Sequence, residues 1–512
     1  MSKDLFAQFI KNIEGKENTW IKIFENIEVL NYVKENIKEF LLFDNGQLEK
    51  IIEGFEKGFS IEQVDVYAKN HFTEEQMDMI ISGLDSNLSI DDVKIIANPK
   101  FDVWQMDEIV AGFNMKLSTE QVLLYADPKY DDEQMERIRY AILSGLSKEK
   151  LDIVLNEKFD SSEMEQIIEG FNNGLSIQQV KIYADPIFMD EQMYEIRDGF
   201  EKGLSIKHVK LYADKKYGSY QMAQIKIGFI KKLSEQQIKL YADSNFTYSQ
   251  MEEIREGLEA KLSIEEVKLY ADPKYTVGKM RQIKKGFRQG LSIEQVKLYA
   301  NNKFDSSQMR QIRYGLIQKL PIELVKLYAD PEIGENEMIQ IVEAIKDGFT
   351  YEQIKFLIDS EYAFDQMAQV KIVMKNGFTY EVIKKFFHFN ISSLQMKEIR
   401  LAFENGLTEE DIVFCIEKSK NVYELNQLRL GFENGLTKEQ IMVYANPEFN
   451  FKQMKEIRLA FENGLTIEEV LTNIHSSLNE YTLNQIFTKT CEEKGNYLFN
   501  EKQNELFALF CS

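Results

Sequence analysis

The 512-residue sequence predicts an all-α solenoid, and three regularities lead to this prediction. They are a fixed step of 29 residues without insertions, two sets of helix signals within each step, and a column of small residues inside the first helix. The step is marked by a methionine that usually follows a glutamine, at Met77, Met106, Met135, Met164, Met193, Met222, Met251, Met280, Met309, Met338, Met367, Met396 and Met454. Leucine occupies the same column at Leu48, Leu425 and Leu483. A period in this range is typical of stacked arrays.

The first helix of each repeat has a predicted length of about 13 residues, and the repeat around Met309 shows the signals that bound it. Asp305 is the expected N-cap, and Gln308 three residues later completes a capping box. Phe304 precedes the cap and is placed to pack on Met309, the fourth helical residue. In many repeats a glycine in the tenth position after the methionine ends the helix, as at Gly290.

The second helix follows the same rules and has a predicted length of about 8 to 9 residues. Ser292 is the N-cap, Gln295 closes the capping box, and Leu291 is placed to pack on Val296. Tyr299 continues the predicted buried face, and an Asp or Asn then ends the helix, often with proline. Helices shorter than about 12 to 15 residues are marginal in isolation, so both must be stabilised by their neighbours.

A glycine or alanine recurs six residues after the methionine column, inside the first helix. It stands at Gly54, Gly83, Gly112, Ala141, Gly170, Gly199, Gly228, Gly257, Gly286, Gly315, Ala344, Ala402, Gly431 and Ala460. An interior glycine costs about 1 kcal/mol relative to alanine, so its repeated use predicts that an adjacent helix approaches closely. The predicted fold is an α-solenoid of about 15 to 16 two-helix repeats. A right-handed superhelix is the working hypothesis, although the sequence does not fix the hand.

The repeat defines three predicted regions of the chain. Residues 1–44 depart from it but contain an amphipathic helical stretch, so they form an N-terminal helical cap. Residues 45–473 form the tandem repeats. In residues 474–512 Lys489 replaces the small residue and Glu493 the terminal glycine, which predicts a C-terminal helical cap. Its apolar end, NELFALFCS, is expected to pack over the last repeat or to serve as an association site.

Composition excludes several classes of protein. No run of 18 apolar residues exists to span a membrane, and the N-terminal stretch has no long uncharged core of a secretory signal, so the expected location is cytoplasmic. The three cysteines have no metal-ligand spacing, and Cys415 stands in a column that elsewhere holds tyrosine, which favours a buried structural thiol. The four histidines are scattered, and no phosphate-binding, dinucleotide or nucleophile motif is present. We therefore expect no enzyme, metal, cofactor or small-molecule substrate.

Charge is distributed unevenly along the chain. The net charge is −22, yet residues 171–330 contain 26 Lys and Arg against 20 Asp and Glu. Two cationic ladders contribute to this excess. The second helices carry Lys181, Lys210, Lys239, Lys268, Lys297, Lys326, Lys355 and Lys384. The first helices carry Arg139, Arg197, Lys226, Arg255, Lys284, Arg313, Lys371, Arg400, Arg429 and Arg458.

Two interpretations of the ladders remain open at this point. In one, the cationic side chains lie at the edge of an apolar face and pair with a Glu one turn on, as Arg400 could with Glu404. In the other they form a binding stripe for an anionic partner, either an acidic protein or a nucleic acid. The candidate stripe consists of the eight lysines together with Arg197, Lys226, Arg255, Lys284 and Arg313. The acidic total disfavours nucleic acid, and the regular cationic spacing favours it.

The phrase GL[ST]xEQVxxYADPxFxxxQMxxIRxGFxxGLS resembles a tandem repeat of largely uncharacterised proteins from low-GC bacteria and their mobile elements. The resemblance covers residues 46 to about 473. Its phase is also loosely similar to that of TAL-effector repeats, which pair a short GLTxxQVVxIA helix with a longer one. Here the unit is shorter and the inter-helix loop has no variable two-residue base-reading position, so no base-contacting residue is carried over.

The predicted function is therefore binding without catalysis. We expect a protein or ribonucleoprotein partner along the superhelical surface, with single-stranded nucleic acid along residues 171–330 as the alternative. The first resemblance implies an architecture and no activity. It also motivates the hypothesis that such an array acts as a mobile-element or phage inhibitor that wraps a host factor.

Overall fold

The computed structural model describes residues 17–493, which contain 34 helices and no strand. The chain divides into two compact units, Met1–Ile264 and Glu265–Ser512, and the boundary falls inside the repeat array. Within each unit, every long helix packs against the long helix of the next repeat. The predicted all-α solenoid of two-helix repeats is confirmed.

The first unit begins with three helices that precede the array, Glu17–Glu25, Ile27–Glu35 and Ile37–Phe40. Its long helices are Asn45–Glu56, Glu74–Asp85, Val103–Asn114, Asp132–Leu143, Ser161–Asn172, Asp190–Glu201, Ser219–Ile230 and Tyr248–Glu259. Its short helices are Ile61–Tyr67, Ile90–Ile96, Thr119–Val122, Lys148–Val154, Ile177–Val180, Ile206–Val209 and Glu235–Ile238. The short helix Ile264–Lys268 contains the boundary between the units.

The second unit continues the same alternation. Its long helices are Val277–Arg288, Ser306–Ile317, Glu335–Lys346, Phe364–Lys375, Ser393–Glu404, Val422–Glu433, Phe451–Glu462 and Glu480–Glu493. Its short helices are Ile293–Lys297, Ile322–Tyr328, Tyr351–Asp359, Tyr380–Phe386, Glu409–Lys418, Lys438–Tyr444 and Ile467–Asn473. The last long helix keeps the register and buries Leu483, Phe487 and Cys491. The predicted packing of NELFALFCS lies outside the described residues.

The helix boundaries follow the predicted capping signals. The Asp305 carboxylate accepts a hydrogen bond from the Gln308 backbone N–H at 2.8 Å, and the Asp305 N–H donates to Gln308 Oε1 at 2.9 Å. Ser292 and Gln295 form the equivalent box at the short helix. The long helix before it ends at Gly290, whose φ of +86° lies in the left-handed region that favours glycine. Two orphan amides per helix start are thus satisfied locally.

The capping glutamine also joins one repeat to the next. Its Nε2 donates to the backbone carbonyl 25 residues later, in the turn that precedes the next long helix. In the first unit Gln105 reaches the Tyr130 carbonyl at 2.6 Å, and in the second Gln308 reaches the Ile333 carbonyl at 2.8 Å. A side chain that caps its own helix therefore also satisfies a carbonyl of the neighbouring repeat.

The column of small residues faces a tyrosine of the same repeat. A Cβ atom added at Gly170 would overlap the Tyr183 hydroxyl oxygen and lie 3.2 Å from Cζ. The Tyr183 hydroxyl donates to the Gln166 carbonyl at 3.2 Å, and its side chain is fully buried, which raises the pKa of the phenol. The close approach predicted from the glycines is thus made by a side chain of the short helix.

Candidate interaction surface

The lysines of the short helices, Lys181, Lys210, Lys239, Lys268, Lys297, Lys326, Lys355 and Lys384, are hereafter the short-helix lysine column. All eight are exposed. Each lies at or just beyond the C-terminal end of the first turns of its helix, one residue after a buried Val or Ile such as Val180 or Val296. The buried residue anchors the short helix, so the lysine that follows it is held pointing away from the core.

The column differs between the two units in its ion pairing. In the second unit the residue three positions earlier is a glutamate, and Lys326 lies 3.1 Å from Glu323. In the first unit that earlier residue is Gln or Lys. Among the described residues, no carboxylate lies within 4.0 Å of the ammonium groups of Lys181, Lys210 and Lys239. The first unit therefore presents three uncompensated charges, and exposed pairs such as Lys326–Glu323 neutralise little at contact.

The cations of the long helices lie elsewhere. Of the five residues predicted to join the stripe, the structure buries four and half-buries Arg313. The exposed fractions of the buried residues are 6 % for Arg197, 6 % for Lys226, 8 % for Arg255 and 4 % for Lys284. The structure thus does not bring these five side chains to the surface with the lysine column.

The buried cations bind side chains of the preceding repeat. Each meets a Glu or Gln located 31 residues earlier, which lies on the previous long helix. In the first unit Arg139 Nη2 is 2.7 Å from Glu108, and Lys226 Nζ is 2.7 Å from Glu195. In the second unit Arg429 Nε is 2.8 Å from Glu398. These contacts form a polar link between neighbouring repeats inside an apolar core.

Acidic partners on the same side complete the network. The predicted pair between Arg400 and Glu404, one helical turn apart, is present at 2.6 Å. For Lys226, burial alone would lower the pKa of the ammonium group, but hydrogen bonds with Asp198 and Glu195 outweigh burial and raise it. The ladder on the long helices is therefore saturated by internal partners and offers no free charge to a ligand.

The described residues show no site for metal chemistry, since no group of three or more His, Cys, Asp or Glu is placed to hold an ion. Cys415 and Cys491 are free thiols and buried, and burial raises the pKa of the Cys415 thiol to about 12. A thiol with that pKa is protonated at neutral pH and is a poor nucleophile. Among the described helices, none is both long and apolar enough to cross a membrane.

Two features of the surface were missed from the sequence, although the sequence contains a signal for each. Cation and acceptor vary together, because Arg139 follows Glu108 whereas Val110 follows Met79 at the same spacing. The second feature is the link made by the capping glutamine to the next repeat, and its signal is the near-constant Gln before Met. No family model matches the chain, and no curated protein matches it. The resemblance to mobile-element repeats stays a prediction.

Proposed function

We propose that this protein is a non-enzymatic scaffold that holds an acidic protein or ribonucleoprotein partner on its short-helix lysine column. The observation that supports the proposal is the contrast between the two cationic ladders. The ladder on the long helices is buried and paired, whereas the lysine column is exposed in every one of its eight repeats. Long cationic side chains held along one face attract an anionic partner and accelerate its association.

The proposal places the protein in the cytoplasm, where Cys415 and Cys491 would remain reduced. An array that occupies an extended surface of its partner could act as an inhibitor of a host factor. That refinement rests on the resemblance to mobile-element repeats alone.

A variant of the column tests the proposal. The full chain serves as bait for affinity capture, with and without nuclease, beside a quadruple Lys→Gln variant at Lys210, Lys239, Lys268 and Lys297. We expect the variant to lose its partner through slower association at low salt. The control carries the same charge change on exposed lysines outside the column, at Lys100, Lys158, Lys397 and Lys455. If the column variant captures the partner as well as wild type does, or if the control loses it equally, the proposal is wrong.

Single-stranded nucleic acid is the second candidate, because the helix Val277–Arg288 carries five cations and no acid. If all eight column lysines contact phosphate, the logarithm of the affinity should fall with log salt at a slope of about −5 to −6, from about 0.7 per contact. The quadruple variant should then remove about half of that slope. Capture that survives nuclease, with no measurable oligonucleotide binding, rules this candidate out.

A further inference from the structure

A dense cluster of lysines occupies two adjacent repeats of the first unit. Residues 202–239 contain nine lysines and only two acids, Asp214 and Glu235. Lys202 and Lys231 are the C-caps of successive long helices, and Lys232 follows the second cap. Together with the column members Lys210 and Lys239 they define the lysine cluster.

The five members of the cluster lie in one layer of the structure. The long helices that end at Glu201 and Ile230 pack directly against each other. Packed helices are about 8–10 Å apart, which places Lys202 and Lys231 about one helix diameter from each other. The following short helices are also neighbours, because Lys207 of one forms an ion pair with Glu235 of the next. The cluster is therefore a continuous patch along the C-terminal ends of the long helices and the short helices.

The cluster keeps its charge because the acids nearby are already used. Glu235 pairs with Lys207, and Asp214 pairs with Lys216 at 3.0 Å. Among the described residues no carboxylate lies within 4.0 Å of the ammonium groups of Lys202, Lys210, Lys231, Lys232 or Lys239, all of which are exposed. Five unpaired positive charges thus face solvent over two repeats.

We infer that the lysine cluster is the docking site for a short acidic peptide segment of the partner. The inference rests on the proposed function and adds to it a location and a ligand chemistry. Every exposed cation of the cluster is lysine, and the arginine in the adjoining helix, Arg197, is buried. Lysine acts as a flexible point charge without the bidentate geometry of arginine, so the cluster suits carboxylates on a chain of variable conformation.

A long nucleic acid fits this patch less well than a short peptide does. Residues 171–330 have a net charge of +6, whereas the rest of the chain carries −28, so an extended polyanion would overrun the patch into repulsive repeats. The exposed aromatic pair of these repeats, Tyr220 and Tyr248, lies at the N-terminal ends of the long helices. At 1.5 Å per residue, Tyr220 is about 16 Å from Lys231 along the helix axis, so bases stacked there would leave phosphates away from the cluster.

Fluorescence anisotropy with three labelled probes tests the inference: a glutamate decapeptide, a glutamine decapeptide and a ten-nucleotide oligo-dT. The full-length variant carries Lys202→Gln, Lys231→Gln and Lys232→Gln, none of which belongs to the lysine column. Glutamine already occupies the same C-cap position at Gln289 and Gln318. At about 50 mM salt, where screening is weak, we expect the variant to bind the glutamate peptide at least about tenfold more weakly than wild type.

The control variant has the same charge change at exposed lysines away from the cluster, Lys100, Lys116 and Lys319, and should bind within about twofold of wild type. An equal loss in both variants overturns the inference, as does oligo-dT that binds more tightly than the peptide. A variant that merely melts earlier, with unchanged affinity, shows that these lysines serve the helix dipoles. If only the column variant loses the peptide, the cluster is wrong and the proposed function stands; if no variant affects any anionic probe or partner, the proposed function fails.

Discussion

Replacing Gly170 by alanine should destabilise the protein, although alanine is the better helix former. The glycine lies in the interior of the long helix Ser161–Asn172, where alanine gains about 1 kcal/mol from helix propensity. An added Cβ, however, overlaps the Tyr183 hydroxyl, and Tyr183 is fully buried and cannot swing into solvent. The clash and the propensity therefore predict opposite signs.

The magnitude can be bounded from the contacts. Overpacking of a close-packed core costs about 1–3 kcal/mol. Displacing the tyrosine also weakens its 3.2 Å hydrogen bond to the Gln166 carbonyl, which contributes about 0.5–1.5 kcal/mol. After the gain in propensity, the expected net loss is about 1–3 kcal/mol.

A double-mutant cycle separates the clash from other effects. In the repeat before, the same two positions hold Ala141 and Val154, so Gly170→Ala combined with Tyr183→Val copies a pair that the fold already accepts. Urea unfolding by circular dichroism, with hydrogen exchange of residues 161–184, measures each variant. The double variant should lose at least about 1 kcal/mol less than the sum of the single variants. If Gly170→Ala is as stable as wild type or more stable, the close approach does not explain the glycine column.

Two further predictions concern the buried cations and the helix ends. Arg139→Met should lower stability by about 1–3 kcal/mol, because it leaves the Glu108 carboxylate without a cation; the loss is less than for a full burial, since these side chains are 11 % and 18 % exposed. Arg139→Val with Glu108→Met should restore most of it in thermal melts, and a neutral single variant would refute the link between repeats. Lys319→Gly should stabilise by about 1 kcal/mol because Lys319 has a φ of +57°, whereas Gln318→Gly, at a φ of −71°, should destabilise; equal shifts in melting temperature would contradict this.

The helices could be predicted because their signals are local. N-caps, capping boxes and terminal glycines act within a few residues, and the long helices, predicted at about 13 residues, contain 12 in nearly every repeat. The short helices, predicted at about 8 to 9 residues, contain between 4 and 10. In several repeats the last turn tightens, as where the Tyr183 N–H donates to the carbonyl of Val180, three residues back. The hydrophobic pattern is the same for both kinds of turn, so it could not reveal the difference.

The candidate surface could be predicted only in part. Both cationic ladders flank an apolar face and share one period, so the sequence offered no local reason to separate Lys226 from Lys239. The separation depends on an acceptor 31 residues away on another helix, as for Glu195 and Lys226. Such a contact is fixed by the stacking of repeats and becomes visible in the sequence only when the two columns are compared.

The same comparison argues that the fold does not require the exposed column. Where the buried cation is absent, its acceptor is usually absent as well, as in the pair Met79 and Val110, so packing dictates that column. The exposed column behaves differently, since outside its eight repeats it holds residues as unlike as Asp65, Leu123 and Leu471 at equivalent positions. A position that accepts an acid or an apolar residue without change of repeat length has no structural need for lysine. Eight consecutive lysines there require a cause outside the fold, and a bound anionic partner supplies one.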